Sequence, residues 1–220
     1  MSPTFDHVVL ATRNEKKRVE LQAILESALG HPVRVSTARD LDLPEVVEDG
    51  VTFAENSLLK ARSAARATGL PAIADDSGLA VDVLGGAPGI FSARWSGTHG
   101  DDAANNRLLL AQLADVKDEH RGAAFVCAAA LVVPGPQDPA TEDLAAEAPA
   151  ADSTPVTEVV EEGRFTGHLL RAPRGANGFG YDPLFVPDGE DRTAAEMSAE
   201  EKNSRSHRYL ALTALAAHMH

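Results

Sequence analysis

The sequence is poor in cysteine and in positive charge, and each shortage excludes a class of protein. One cysteine, Cys127, in 220 residues cannot form an internal disulfide, and its apolar neighbours predict a buried, inert thiol rather than a nucleophile. Only 20 lysines and arginines stand against 33 aspartates and glutamates, which gives a net charge of -13. The chain therefore lacks the positive field of a general nucleic-acid binder, although a few local cations could still hold a small phosphorylated ligand.

The sequence also lacks a long apolar run. The longest one, residues 123–133, is much shorter than the roughly 20 residues of a membrane-spanning helix. Residues 1–6 have neither the basic start nor the apolar centre of a signal peptide. We therefore predict no membrane partner and a cytoplasmic location. With 220 residues, the chain is long enough for one large domain or two small lobes with a substantial core. The apolar share of 44% is ordinary for a soluble globular protein.

Two adjacent carboxylates, Asp75 and Asp76, lie where an apolar run that begins at residue 72 should end as a buried strand. Ligands bind at strand ends in open α/β sheets, so this position is a candidate site. Side chains alternate along a strand, so the two carboxylates should point to opposite faces of the sheet. Only one of them can then reach a given site, and the other needs a structural partner. The alternative is an acidic turn in which both aspartates cap backbone groups.

The rest of the chain predicts strands that alternate with helices, which is typical of an α/β fold. Further strands are predicted at residues 7–11, 33–35 and 123–133. Helices are predicted after the first strand up to residue 29, over residues 52–68, over residues 101–114 and after residue 198. The second and the last of these helices begin with capping boxes, at 52–55 and 198–201. Residues 156–170 resume a strand-like pattern around Gly163, which predicts a hairpin or a bulged strand.

Residues 134–155 differ in composition from the rest of the chain. They are rich in proline, alanine, aspartate and glutamate and contain almost no large apolar side chain. Such a segment cannot bury a core, so we predict an acidic surface loop or insertion, to which we assign no function.

The turn after the first predicted strand is a candidate phosphate site. Lys16 and Lys17 lie in the first turn of the helix that follows, where the helix dipole disfavours cations unless an anion is bound. The Thr12 hydroxyl, Asn14, Lys17 and the first amides of the helix could converge on a phosphate. Alternatively, Asn14 caps the helix and the lysines are solvated.

Two C-terminal stretches carry further candidates. Phe179 is flanked by glycines, an arrangement that can present an aromatic ring for stacking on a base, or simply bury it in a turn. Lys202, His207 and Arg208 group three potential cations within seven positions of a very acidic protein. Phosphate donors, carboxylates for Mg²⁺ and an aromatic for a base together suggest a nucleotide with a bound metal.

Six motifs, in this order over nearly the whole chain, resemble the inosine triphosphate pyrophosphatase family, whose members hydrolyse non-canonical purine nucleoside triphosphates and so clean the nucleotide pool. The motifs are Thr-Arg-Asn-Glu-Lys-Lys at 12–17, Phe-Ala-Glu-Asn-Ser-Leu-Leu-Lys-Ala at 53–61, Ala-Asp-Asp-Ser-Gly-Leu at 74–79, Gly-Gly-Ala-Pro-Gly at 85–89, Gly-Phe-Gly-Tyr-Asp-Pro at 178–183 and Lys-Asn-Ser-Arg-Ser-His-Arg at 202–208.

The resemblance implies a single domain over residues 1–220, with a long mixed central sheet flanked by helices and an active-site cleft between two lobes, usually as a homodimer. Asp76 would be the catalytic carboxylate and would bind Mg²⁺ together with Glu48, although Glu45 and Asp49 lie close by in the same acidic segment. The implied substrate-binding residues are Thr12, Arg13, Asn14, Lys17, Lys60, Ser77, Gly78, Arg94, Phe179, Gly180, Tyr181, Asp182, Lys202, His207 and Arg208.

The implied reaction is attack of water on the α-phosphorus of ITP, dITP or XTP, which gives the monophosphate and pyrophosphate. His207 or Arg208 would donate to the 6-oxo group of the base, and Asp182 would accept from N1–H. Basic groups from both ends of the chain would close over the metal and the triphosphate. Two alternatives stay open: a Maf-like pyrophosphatase for other modified nucleotides, and a non-catalytic nucleotide-binding protein.

Overall fold

The residues that the structure describes form one six-stranded sheet. The structure is a computed structural model, and it describes residues 5–135 and 157–219. In chain order the strands are β1 (His7–Leu10), β2 (Arg34–Thr37), β3 (Ala72–Val81), β4 (Gly122–Val133), β5 (Thr157–Leu169) and β6 (Phe185–Pro187). Their order across the sheet is β2-β1-β3-β4-β5-β6. The β2-β1 and β1-β3 pairs are parallel and the other pairs antiparallel, which confirms a mixed sheet.

Helices cover both faces of this sheet. The α-helices of the described residues are α1 (Glu15–Leu29), α2 (Phe53–Thr68), α3 (Asp102–Gln112), α4 (Ala199–Asn203) and α5 (His207–Ala216). Apolar side chains of α1 and α5 pack in one core cluster with Ile73 of β3, whereas alanines of α2 pack with Ala72 and Ala74. Because Ile73 alternates with its two neighbours along the strand, α1 and α5 lie on one face of β3 and α2 on the other.

A third core cluster lies further along β3. Leu79 and Val81 pack there against Leu109 of α3, together with Phe125 of β4 and Phe185 of β6. This cluster anchors α3 beside the segment that follows β5. It thereby places the start of α3 next to Gly180, which follows the glycine-flanked Phe179.

Most predicted elements are confirmed within a few residues, but β5 differs from its prediction. It is one continuous strand in which Gly163 pairs with Cys127, neither a hairpin nor a bulge. The glycine is needed for packing, because a Cβ atom at position 163 would lie 2.1 Å from the carbonyl oxygen of His207. Gly163 therefore lets α5 lie directly on the sheet.

Three further predictions depend on what the structure describes. Residues 136–155 of the predicted acidic insertion lie outside the described residues, and only Pro134 and Gly135 of that segment follow β4 in the structure. Within residues 5–135 and 157–219, no helix is long and apolar enough to cross a membrane. The division of the domain into two lobes stays a prediction.

Candidate active site

Asp75 and Asp76 lie in the middle of β3, beyond the last residue of its neighbour β1. Among the described residues, β1 pairs with β3 only at Ala72 and Ile73, so the following part of this edge faces the turn after β1. Strand β4 pairs with the opposite edge of β3 all the way to Val81, which is why β3 does not end at the carboxylates as we predicted. The two carboxylates thus lie next to the carboxyl end of β1, where α/β sheets bind ligands.

Asp75 is the carboxylate with the structural partners. Its side chain is only 2% exposed, and its oxygens lie 2.6 Å from Lys17 Nζ of α1 and 3.2 Å from Arg208 Nε of α5. Arg208 also pairs with Glu20 of α1. Burial alone would raise the pKa of Asp75, but the charges of Lys17 and Arg208 outweigh it and hold this pKa well below its usual range. Asp75 is therefore charged at neutral pH and joins α1 to α5.

Asp76 points to the opposite face of β3, as the alternation of side chains predicted. Its Oδ2 accepts a hydrogen bond of 3.1 Å from Asn56 Nδ2 of α2, and its Oδ1 lies 3.7 Å from Lys60 Nζ. Lys60 Nζ is also 3.3 Å from Glu48 Oε2. Burial, to which the charge of Glu48 adds, raises the pKa of Asp76 despite the opposing effects of Lys60 and Asn56. Two carboxylates from separate segments thus converge on one cation.

This carboxylate pair suits Mg²⁺ in its donor chemistry. Mg²⁺ is usually held by one or two carboxylates, with substrate phosphates and water completing its shell. Asp76 and Glu48 supply two carboxylates that already flank a positive charge. No group of three or more His, Cys, Asp or Glu side chains within the described residues is placed to hold a metal. The arrangement therefore fits a metal that is bound together with a polyanionic ligand rather than one held by the protein alone.

A cavity of about 320 Å³ adjoins the pair formed by Glu48 and Lys60. It lies between the turn after β1, the 43–48 segment and α2, and its polar lining includes Thr12, Arg13, Glu48 and Lys60. The volume is at the lower end of the range of about 300–1,000 Å³ that is usual for small-molecule sites. Glu48, two cations and a hydroxyl therefore line one space, and Asp76 lies next to it, 3.7 Å from the Lys60 ammonium.

In the turn after β1, one half of our alternative is observed: Asn14 caps the helix, but Lys17 is paired with Asp75 rather than solvated. Asn14 Oδ1 caps α1 by accepting hydrogen bonds from the Lys16 and Lys17 amides. Thr12 Oγ1 accepts from the Asn14 amide at 3.3 Å. Arg13 donates to the Leu43 carbonyl at 3.1 Å, which ties the turn to the opposite wall of the cavity. Asn14 therefore has a structural function, whereas Thr12 and Arg13 line the cavity.

The cations from the two ends of the chain meet, but not where we expected them. Lys17 and Arg208 converge on Asp75 rather than around Asp76, and they lie on the other face of β3. The reason is electrostatic: Asp75 is fully buried, so its charge has to be compensated by direct partners. Their assignment as substrate ligands stays a prediction.

A second group of predicted residues surrounds an exposed aromatic ring. Phe179 is 79% exposed, and the ammonium of Lys202 lies 5.1 Å from the centroid of its ring. Lys202 Nζ donates to Asp182 Oδ2 at 2.5 Å, and the same oxygen accepts from the Phe179 amide at 2.9 Å. Asp182 therefore fixes the turn and orients the lysine, and this oxygen is already engaged. The open ring face is suited to stacking on a base.

His207 lies at the first turn of α5, between this aromatic group and the Asp75 cluster. Its ring stacks on Phe125 with centroids 5.3 Å apart. Burial, and then the nearby charge of Lys202, lower the pKa of His207 to about 3. The imidazole is therefore neutral at physiological pH. Its Nδ1 is buried and has no hydrogen-bond partner among the described residues.

Four further predicted residues make contacts within the fold or lie exposed away from these groups. Tyr181 is buried, and its hydroxyl donates to the Ser92 carbonyl at 2.9 Å. Gly78 is closely packed, because a Cβ atom there would lie 2.4 Å from Ser92 Oγ. Arg94 lies exposed at the end of a 3-10 helix, over the ring of Phe91. Ser77 pairs with Cys127 across β3 and β4 and shares the face of Asp75.

Comparison with known proteins agrees with this geometry. The sequence model of the Ham1 family matches residues 8–218. The chain belongs to the Ham1 family. This confirms the resemblance that the six motifs indicated. A relative from Streptomyces avermitilis, named dITP/XTP pyrophosphatase, is 58% identical over 202 residues, which cover 91% of this chain and 90% of the relative. One from Bifidobacterium longum with the same name is 49% identical over 94% of this chain and 96% of the relative.

Solved structures of Ham1-type proteins have the same fold. A nucleoside-triphosphatase, also titled dITP/XTP pyrophosphatase, from Mycobacterium abscessus is 51% identical and superposes with a TM-score of 0.72 over 95% of this chain and 98% of its own. A HAM1 protein from Coxiella burnetii is 37% identical, with a TM-score of 0.79 over 97% of this chain and 98% of its own. These solved structures share the mixed α/β fold of this Ham1 protein.

Sequence reasoning missed two polar contacts of this Ham1 chain. Asn56, which holds Asp76, was passed over although it lies inside one of the six motifs, one helical turn before Lys60. Residues four apart share a helix face, so the spacing of Asn56 and Lys60 could have revealed that both reach the same carboxylate. Glu20, the second partner of Arg208, has no comparable local signal because 188 residues separate the two.

Proposed function

We propose that this Ham1 protein is a nucleoside triphosphate pyrophosphatase that converts dITP, ITP and XTP to the monophosphate and pyrophosphate. The observation that carries the proposal is the convergence of Asp76 and Glu48 on one cation beside a small polar cavity. The relatives named dITP/XTP pyrophosphatase support the choice of substrates, and they favour it over a Maf-like or non-catalytic protein.

Asp76 and Glu48 would hold Mg²⁺ in this proposal. The ion, when bound, would neutralise triphosphate charge and help to orient an in-line attack at phosphorus. Asp76 would position the attacking water and take its proton, a function for which a raised pKa is favourable. Asn56 would hold Asp76 in place through its 3.1 Å hydrogen bond. Lys60 and Arg13 would provide positive charge to the phosphates from the cavity wall.

The base would bind at the second group of residues. Phe179 would stack on the purine, and Lys202 and the neutral His207 would donate hydrogen bonds toward its 6-oxo edge. Adenine carries an amino group at this position, which would leave the donors unpaired and could cost a factor on the order of 10⁴. The homodimer and the cytoplasmic location that we predicted stay predictions.

The direct test is a product analysis with ITP, dITP, XTP, GTP and ATP, each with and without Mg²⁺. We expect monophosphate and pyrophosphate from the first three, an absolute need for the divalent ion, and rates on ATP lower by about 10³-fold or more. Orthophosphate and a diphosphate as products, or equal rates on ITP and ATP, would refute the proposal. Nucleotide binding without any hydrolysis would indicate the non-catalytic alternative instead.

The metal assignment of Glu48 can be tested by a matched pair of variants. Glu48→Gln keeps the shape of the side chain but loses the charge, so we expect the Mg²⁺ concentration for half-maximal rate to rise about tenfold. Asp49→Asn is the control, because Asp49 is an exposed neighbour in the same segment. Titration of activity with Mg²⁺ measures both. If Asp49→Asn shifts the titration and Glu48→Gln does not, the second metal ligand is misassigned.

A further inference from the structure

Two side chains of α3 form hydrogen bonds with the turn that carries Phe179. Asp102 Oδ2 accepts a hydrogen bond of 2.7 Å from the Gly180 amide, and Asn106 Nδ2 donates one of 2.8 Å to the Gly180 carbonyl. Residues 102 and 106 are four apart, so they project from the same face of the helix. Helix α3 is itself fixed in the core by Leu109 and by Leu113, the residue directly after it. The position of Gly180 is thereby tied to a rigid element of the fold.

The turn has to fix the position of the Phe179 ring, because the ring is not held by burial in the core. Phe179 is 79% exposed, so its own packing contributes little to its position. Gly178 and Gly180 have φ angles of 75° and 61°, a left-handed conformation that glycine adopts without strain and that gives the turn little stiffness of its own. Apart from the Lys202 ammonium over its face, the ring is therefore positioned by the hydrogen bonds on either side of it, to Asp182 and to α3.

Neither α3 residue is placed to act on the phosphates. Asp102 and Asn106 engage the backbone of Gly180, whereas Asp76 is bonded to Asn56 of α2. We propose that Asp102 and Asn106 are positioning residues that fix the Phe179 ring for stacking on the purine and so set the affinity for the base. This deepens the proposed function and rests on it for the identity of the base.

The expected effects follow from the kind of contact that is removed. Asp102→Ala takes a charged acceptor away from a partly buried amide, which should weaken base binding by about tenfold. Asp102→Asn keeps an acceptor oxygen in nearly the same position and should bind almost as the wild type does. Phe179→Ala removes the stacking surface itself and should weaken binding by tenfold or more, to about 100-fold.

A double-mutant cycle on IMP binding tests the coupling. IMP is the expected product, so equilibrium dialysis reports base binding without turnover. We expect Asp102→Ala and Phe179→Ala each to weaken IMP binding, and the double variant to bind no more weakly than Phe179→Ala alone. Ribose 5-phosphate, which lacks the base, should bind equally to all variants. Asp101→Ala is the matched control, because Asp101 caps α3 at the Ala104 amide but does not contact the turn.

The outcomes separate this inference from the proposed function. Additive losses in the cycle, an equal loss of ribose 5-phosphate binding, or the same loss in Asp101→Ala would overturn the inference even if ITP is hydrolysed normally. Failure of the wild type to bind IMP would overturn it as well. Coupled losses of IMP binding in a protein that releases no pyrophosphate from ITP would support the inference and refute the proposed function.

Discussion

Replacing Asp76 by asparagine is expected to reduce pyrophosphate release from ITP by about 10³-fold or more, because in the proposed function Asp76 is both the general base and a ligand of Mg²⁺. Asparagine has nearly the same shape, and its side-chain oxygen can still accept the hydrogen bond from Asn56. The loss should therefore lie in turnover rather than in folding. Steady-state rates at saturating ITP and Mg²⁺, together with a thermal unfolding curve, measure the two effects separately.

The same substitution should not lower stability. The pKa of Asp76 is raised in the folded protein, chiefly by burial, so its charged form is less favourable there than in the unfolded chain. At neutral pH the charge consequently opposes folding, and a neutral side chain of equal shape removes this cost. We expect the melting temperature of Asp76→Asn at pH 7 to equal or slightly exceed that of the wild type, although Lys60 loses one partner.

The control for Asp76→Asn is Asp82→Asn, which changes an exposed aspartate directly after β3. It should keep full activity. Near-normal turnover in Asp76→Asn would show that Asp76 is not the catalytic carboxylate. A marked fall in its melting temperature would instead mean that the carboxylate stabilises the fold, contrary to the direction of its pKa.

The two aspartates show how far sequence reasoning reaches. The alternation of side chains along a strand is a local rule. It predicted that Asp75 and Asp76 would point to opposite faces of the sheet and that one of them would need a structural partner. The identity of the partners was not predictable in this way. Lys17 is 58 residues from Asp75 in the chain, and Arg208 lies on the last helix. Contacts of this range depend on how helices pack on the sheet, which no local pattern encodes.

Glycine and tyrosine positions show the same limit. Gly163 indicated a break in a strand, yet it marks the place where α5 crosses β5. Tyr181 lies two residues after the exposed Phe179 in the same motif, yet it is buried and hydrogen-bonded to the Ser92 carbonyl. In both cases the local signal, a glycine or an aromatic, was identified correctly. Its meaning depended on an element from a distant part of the chain.

Replacing Asp75 by asparagine is expected to destabilise the fold by about 3 kcal/mol, the lower part of the range for breaking a buried ion pair. The lower part applies because Arg208 keeps Glu20 and the Lys17 side chain, which is 34% exposed, can turn toward water. For a domain of this size, such a loss corresponds to a fall of about 10 °C in melting temperature. Urea unfolding of the wild type and the variant at pH 7 measures the difference in the free energy of unfolding.

The pH dependence of that difference identifies its cause. The pKa of Asp75 lies below its ordinary value of 3.8 in the folded protein, so its charge stabilises the fold above the unfolded pKa. This stabilisation is lost as the pH falls from the unfolded pKa of 3.8 through the lower folded pKa. The carboxyl of the wild type is then neutral, as the asparagine of the variant is at every pH. The gap between wild type and Asp75→Asn should thus stay constant between about pH 7 and pH 5 and narrow below about pH 4.

An exposed ion pair provides the control for this prediction. Asp118 lies 2.7 Å from Arg171, but its side chain is 82% exposed, so Asp118→Asn should change stability little at any pH. The two aspartates differ in burial far more than in the distance to their partners. If Asp118→Asn costs as much as Asp75→Asn, the proximity of the opposite charge is what matters. If only Asp75→Asn is costly, the fold depends on a buried carboxylate that joins its first and last helices, directly beside the carboxylate that we propose to be catalytic.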